Sequence, residues 1–266
     1  MTKNDRLARP LFALLLASLS LPAAAMQPLL TDDTGTQGSG GNQIEFAYVG
    51  LRQTMSGDTD RLDYLPFTYT RGVSETVDLF VSAGYGRVRL SNADNHSSGA
   101  GTPSVGAKWR FFGTEENDTS LALKPEIFFP INGDGREADG FGTGKISGNL
   151  TFIVEQQVPF GSLLFNAALG RNRINGPFDG SDATVSSLSL APIWEVSDEW
   201  KLALDIGVKF ARSSGSTTNE KYALIGAIYS PDKDLELAIG ILHAADSENP
   251  RTTTQSATLG ITWRFQ

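Results

Sequence analysis

Two histidines make up the imidazole content of this 266-residue chain, and no cysteine accompanies them. His96 lies in the polar stretch SNADNHSSGAG (91–101), and His243 ends the run LELAIGILH. An imidazole can act as a general base, but only with a nucleophile and an orienting group within hydrogen-bond reach. No nucleophile motif stands beside either histidine. His243 shares the apolar phase of its run, the placement a lipid hydrolase working at the outer leaflet would need, yet a histidine in a polar belt is the simpler reading. With no cysteine, disulfide frameworks and thiolate metal sites are excluded. INGDGREADG (131–140) clusters Asp and Gly without the spacing of a calcium loop, and GFGTG (140–144) follows no nucleotide-binding βαβ pattern. No catalytic residue, metal site or cofactor is expected, and the chain does not read as an enzyme.

A different set of polar residues stands out by phase. Asp78, Lys108, Arg110, Lys124, Glu126, Asn149, Glu155, Asp205, Lys209 and Arg264 all occupy alternate positions opposite apolar neighbours. Both signs of charge occur, so the group would suit the wall of a wet lumen. A lumen cross-linked by salt bridges and serving as scaffold is the alternative. A second acidic pair, Asp32 and Asp33, sits in the polar, Gly-rich stretch PLLTDDTGTQGSGGNQIEF (28–46).

Positioning these residues requires strands. In KLALDIGVKF (201–210), Leu202, Leu204, Ile206, Val208 and Phe210 share one face, and Lys201, Ala203, Asp205, Gly207 and Lys209 share the other. KISGNLTFIVEQ and SATLGITWRF repeat the pattern. Twelve such segments follow one another: 42–53, 61–71, 76–90, 102–112, 119–130, 144–156, 162–173, 183–195, 200–211, 219–230, 235–243 and 254–265. Most reach the ~9–11 residues a tilted strand needs to cross a bilayer, longer than the five or six usual in globular sheets. Brief turns (72–75, 113–118, 158–161, 197–199, 231–234) alternate with long polar loops (91–101, 132–144, 175–182, 212–219, 244–252). This is the connectivity of an all-β, up-and-down transmembrane antiparallel barrel, with both termini on the short-turn, periplasmic side. In hydrocarbon no backbone group can go unpaired, so the strands must close.

Trp109, Trp194, Trp200 and Trp263 are the chain's four tryptophans. Each falls in the outward phase at a strand end assigned to the periplasmic side, as an interfacial aromatic girdle requires. Phe265 joins them, and Tyr64, Tyr85, Phe129 and Phe210 are expected near the opposite interface.

Residues 1–25 read as a cleaved secretory signal peptide: Lys3, Arg6 and Arg9 precede the apolar Leu11–Leu21 run, and Ala23-Ala24-Ala25 supplies small residues before Met26. The expected division is signal peptide 1–25, polar leader 26–41 and barrel 42–266. The acidic balance, 30 Asp and Glu against 22 Lys and Arg, disfavours nucleic acid. A mean hydropathy of −0.17 would by itself suggest a soluble periplasmic protein, because alternation averages the two faces away.

The leader Pro28-Leu29-Leu30-Thr31-Asp32-Asp33-Thr34-Gly35-Thr36-Gln37-Gly38, running into such a barrel, resembles an outer-membrane β-barrel family associated with the phenol meta-pathway of degradation. That resemblance implies a bacterial outer-membrane channel or transporter for passive uptake of small, aromatic or hydrophobic solutes. From its residues alone, the leader either hangs in the periplasm or folds back as a plug, with Asp32 and Asp33 meeting Lys or Arg of the lumen wall. Expected partners are outer-membrane lipids and lipopolysaccharide, the small solute, and the outer-membrane assembly machinery. That machinery would meet Phe265 as penultimate residue, before Gln266. A monomer is expected. The alternatives are a hydrolase using His243 and a non-conducting structural barrel.

Overall fold

The computed structural model describes residues 27–91, 96–114, 117–131, 145–173, 182–213 and 216–266. The strands are β1 (Asn42–Met55), β2 (Asp58–Ser74), β3 (Val77–Arg89), β4 (His96–Ala100), β5 (Ser104–Phe112), β6 (Thr119–Phe128) and β7 (Ser147–Val158). They continue with β8 (Gly161–Asn172), β9 (Ala183–Glu195), β10 (Trp200–Ser213), β11 (Ser216–Asp232), β12 (Leu235–Asp246) and β13 (Thr252–Phe265). Each pairs antiparallel with its neighbour, and β1 pairs with β13, which closes the ring.

Thirteen strands form twelve staves. The outer half of β3 (Tyr85–Arg89) pairs with β4 and its inner half (Val77–Ser82) with β5, so β4 and β5 are one stave in two pieces. His96 therefore begins a strand and does not sit in a long loop. Pro103 lies at the break, where it has no N–H to give to the ladder. Its carbonyl accepts from Phe129 N–H at 2.9 Å. Strands also run further into the expected loops than alternation suggests. β10 and β11 pair as far as Ser213 and Ser216, and β12 reaches Asp246. The β10 and β11 extensions are polar on both faces and that of β12 is Ala244-Ala245-Asp246, so none carries a period-two signal.

The barrel is apolar outside. On β3, Leu79 and Val81 are 51% and 48% exposed while Asp78 and Phe80, which alternate with them, are buried. Leu202, Ile206 and Phe210 are exposed on β10, and Ala203 and Asp205 are buried. Trp109, Trp194, Trp200 and Trp263 are all exposed, each within four residues of the short-turn end of its strand. Each has a neighbouring ring within 6 Å: Trp200 with Tyr229 at 4.8 Å, Trp263 with Phe265 at 4.8 Å, Trp109 with Phe111 at 5.7 Å, and Trp194 with Phe160 at 5.8 Å. Such a layer matches the headgroup level of a bilayer. Tyr64 departs from the expected interface position. It shares the inward phase of buried Leu62 and Thr68, and its ring fills space inside the wall above Gly84 and Gly101. A Cβ on either glycine would lie 2.1 Å or 2.6 Å from the Tyr64 hydroxyl.

Candidate functional site

The lumen is occupied by the chain's own leader. Residues 27–41 have no regular structure, yet Leu29, Thr31, Asp32 and Thr34 are buried. A segment this polar cannot bury itself, so its donors and charges must be met by the wall.

At its start the leader lies against the β11–β13 wall. Gly226 and Gly240 face each other across β11 and β12, and a Cβ on either would fall within 2.9 Å of the Pro28 ring. Bare backbone at these two positions lets the proline lie flat on the sheet. Leu29 then enters an apolar cluster formed by Leu164, Ala191, Ile193, Ala203, Leu224 and Leu242. Beside it, the Asp205 carboxylate accepts from Leu30 N–H at 2.7 Å, Thr31 N–H at 2.8 Å, the Thr31 hydroxyl at 2.8 Å and the Tyr222 hydroxyl at 2.8 Å. Four donors on one carboxylate offset its removal from water.

The chain next crosses to the cationic side. Lys108 Nζ lies 3.1 Å from Asp32 and 3.2 Å from Asp33, and Lys124 pairs with the second oxygen of Asp32. Lys124 also stands over the Phe80 ring, 5.1 Å from its centroid. The backbone of Asp32 is clasped by the Asn166 amide, which donates to its carbonyl at 3.0 Å and accepts from its N–H at 2.6 Å once the amide is oriented to satisfy both. Burial alone would raise the Asp33 carboxyl. The Lys108 ammonium, with help from Gly35 N–H, overrides that and holds it below the usual carboxylate value.

Past the acidic pair, Thr34 gives its N–H and hydroxyl to Glu155 at 3.1 Å and 2.8 Å and meets the Ser120 hydroxyl. Gln37 N–H is shared between the two Asp78 oxygens at 3.1 Å and 3.0 Å, and its side chain reaches Gln43 at 3.0 Å. The leader leaves the lumen by pairing with the end of β2, Gly40 N–H to Gly72 carbonyl at 3.0 Å and Gly72 N–H to Gly41 carbonyl at 2.9 Å. Asp205 on β10 and Asp78 on β3 stand opposite each other in the ring of staves, so the leader spans the barrel's cross-section. Both lie toward the short-turn ends of their strands, which places the leader in the short-turn half of the barrel.

Of the wall residues singled out by phase, Asp78, Lys108, Lys124, Glu155 and Asp205 hold the leader directly. The others engage the wall. Arg110 donates to the Glu75 carbonyl at 3.0 Å, Glu126 accepts from Ser104 at 2.6 Å, and Asn149 donates to Thr151 at 3.1 Å. Arg264 bridges Gln43 and Glu236, each at 3.0 Å, and Lys209 stands opposite Glu220 on the next strand. Alternation alone did not single out Leu29, Asn166, Ser120, Gln43 or the Gly226–Gly240 pair. Gln43 sits in the same phase as the charged set, and the glycines fall opposite apolar residues, so a weak signal existed for those.

His243 is exposed on the outer wall of β12, opposite Ala223 and Gln255 in the two adjoining strands, neither of which is a nucleophile partner. The expected signal peptide (1–25) and the Asp- and Gly-rich segment 132–144 lie outside the described residues.

Residues 27–265 match the profile of the family described as "Putative MetA-pathway of phenol degradation". No curated protein sequence matches the chain. Among solved structures, the COG4313 outer membrane channel from Pseudomonas putida F1 superposes with a TM-score of 0.70 at 13% identity, covering 88% of this chain and 98% of that one. The β domain of the Bordetella autotransporter BrkA gives 0.54 at 14% identity, covering 85% and 100%. The NanC porin gives 0.53 at 9%, covering 82% and 98%. At such identities the likeness is one of fold, that of outer-membrane β-barrels.

Proposed function

Because this chain belongs to the MetA-pathway phenol-degradation family, we propose that it is an outer-membrane channel for passive uptake of small solutes, its passage occupied at rest by the leader as a plug. The observation that carries the proposal is the leader's place: a polar segment crossing the lumen and held by side chains of opposite walls. A barrel serving only as scaffold could fill its interior with wall side chains, as small barrels do. Here the filler is a terminal segment with no regular structure, an element that can leave without breaking the sheet.

The lining also bears on the solute. Where Leu29 sits, the wall is Leu164, Ile193, Leu224 and Leu242; across from it are Lys108, Lys124 and Asp78. Withdrawal of the leader would leave one greasy and one charged side, which suits a small aromatic or hydrophobic compound with a polar edge. Such solutes are the substrate class proposed, delivered from outside a Gram-negative outer membrane toward the periplasm.

Planar-bilayer recording tests this with the mature chain and a variant lacking residues 27–41. The variant is expected to conduct several-fold more than the full chain, with a heat-dependent gel shift showing both folded. Equal conductance would remove the plug, and silence from both would remove the channel.

A further inference from the structure

At the end of the barrel away from the tryptophan layer, the outer wall carries an arginine patch that the channel reading does not use. Arg52 on β1 is directly opposite Arg61 on β2, and Arg61 is directly opposite Arg89 on β3. Arg87 lies one row lower, opposite Asp63. All four arginines are exposed. Adjacent strands lie about 4.8 Å apart, so three guanidinium groups share a row only two strand spacings wide. Like charges directly opposite one another destabilise a sheet pair, and alternation would have allowed any polar residue here. Among the described residues, no ion pair joins the four to a carboxylate. Asp63, the nearest by register, already accepts from the Tyr48 hydroxyl at 2.6 Å. Arg171 on the far side of the barrel differs, since it is paired with Asp182 at 3.7 Å.

What lies beneath the patch says what it meets. On the same outward face, one row below Asp63 and Arg87, come Tyr48 and Tyr85, both exposed, and then Phe46, Phe67 and Val81. Descending the wall, one passes from guanidinium to phenol to hydrocarbon. A ligand matching that order has an anionic head, a polar neck and acyl chains. We propose that Arg52, Arg61, Arg87 and Arg89 bind the phosphate groups of lipid A, the glycolipid of the outer leaflet, with its acyl chains lying on the apolar wall below. Guanidinium forks match phosphate oxygens two at a time, and the repulsion between neighbouring arginines becomes attraction for the shared anion. The proposal goes beyond conduction and does not depend on it. A binding assay needs no current, so its failure leaves the channel reading standing.

The test uses the folded full-length mature protein in detergent and fluorescent bisphosphorylated lipid A as probe. The variant R52Q/R61Q/R89Q is compared with R171Q/R173Q/R212Q, which removes the same charge from the opposite side. Both are first checked for the heat-dependent gel shift. The patch variant is expected to bind about tenfold more weakly or worse, as lost charge-assisted bonds require. The control variant should stay within about twofold, and monophosphorylated lipid A should bind the native patch less tightly. Equal weakening in both variants would reduce the effect to bulk charge and overturn the site. Unchanged binding in the patch variant would overturn it too. Full displacement of the probe by millimolar inorganic phosphate would make the patch a free-anion site and refute the lipid assignment.

Discussion

The two halves of the lumen hold the leader by different physics. Along β8–β12 the wall is mainly apolar: it receives Pro28 on bare backbone and Leu29 in a closed cluster, with the Asp205 carboxylate taking the Leu30 and Thr31 donors beside them. Along β3–β7 it is charged, and it receives Asp32, Asp33 and Thr34 by ion pairs and hydrogen bonds. The difference is one of reversibility. Apolar burial is non-directional and loses strength in proportion to area exposed. A buried ion pair fails steeply, because losing either partner leaves the other charge uncompensated. The charged half should therefore decide whether the leader is in or out, while the apolar half sets how tightly its end is kept.

That division is open to direct attack. Asp32→Ala should have the largest effect. It leaves Lys108 and Lys124 close together behind a leader that gives Lys124 no carboxylate, at a cost of about 3 kcal/mol to the docked state, the low end for a broken buried pair because departure lets water reach both ammonium groups. At about a tenfold change per 1.4 kcal/mol, the docked-to-open ratio should fall roughly a hundredfold. Conductance of the variant is expected to approach that of the chain lacking residues 27–41. If it instead matches the native chain, the charged half is not the latch.

Leu29→Ala should come second, costing about 2 kcal/mol, the lower end for a buried leucine since its surroundings can take up water from the lumen. Brief openings should become more frequent without a permanently open state. Gly226→Ala should come third, at about 1 kcal/mol, by pushing a methyl into the Pro28 ring. Combining Leu29→Ala with Asp32→Ala sharpens the contrast. If the halves act separately the two costs add within about 0.5 kcal/mol, and a larger coupling would mean that the leader docks as one unit.

The charged half was also the legible half. Asp78, Lys108, Lys124 and Glu155 could be assigned to the lumen because each falls in the polar phase opposite an apolar one, as does Asp205 in the other half, and the Asp32-Asp33 pair stood out in a stretch with nothing to bury. The apolar half offered no such contrast. Leu164, Ile193 and Leu224 point inward, yet they are the same residue types that elsewhere face lipid, so alternation cannot say which flank is which without the leader to pack against them. Tyr64 failed for the same reason, an aromatic at the level of the outer interface that turns inside because Gly84 and Gly101 leave room. The fold was readable nearly throughout because strand period survives in every stave except one. His96–Ala100 (HSSGA) has no apolar alternation, and it becomes a strand only because β3 supplies partners for its backbone.

The smallest predicted effect separates the halves by pH. Lys108 holds Asp33 below its ordinary carboxylate value in the docked state, and the free leader would titrate at the ordinary value. The sign follows: a lowered value in the docked state means that docking gains stability above the ordinary carboxylate range. That gain is lost as pH falls through the lowered value, where both states are protonated. The contribution of Asp33 to conductance should therefore be level from neutral pH down to about 5 and rise modestly on further acidification. Asp33→Asn should abolish the rise attributable to this group, while Leu29→Ala should shift the baseline and keep the slope. A slope that followed Leu29 and ignored Asp33 would mean the apolar cluster, and not the charged wall, sets the position of the leader.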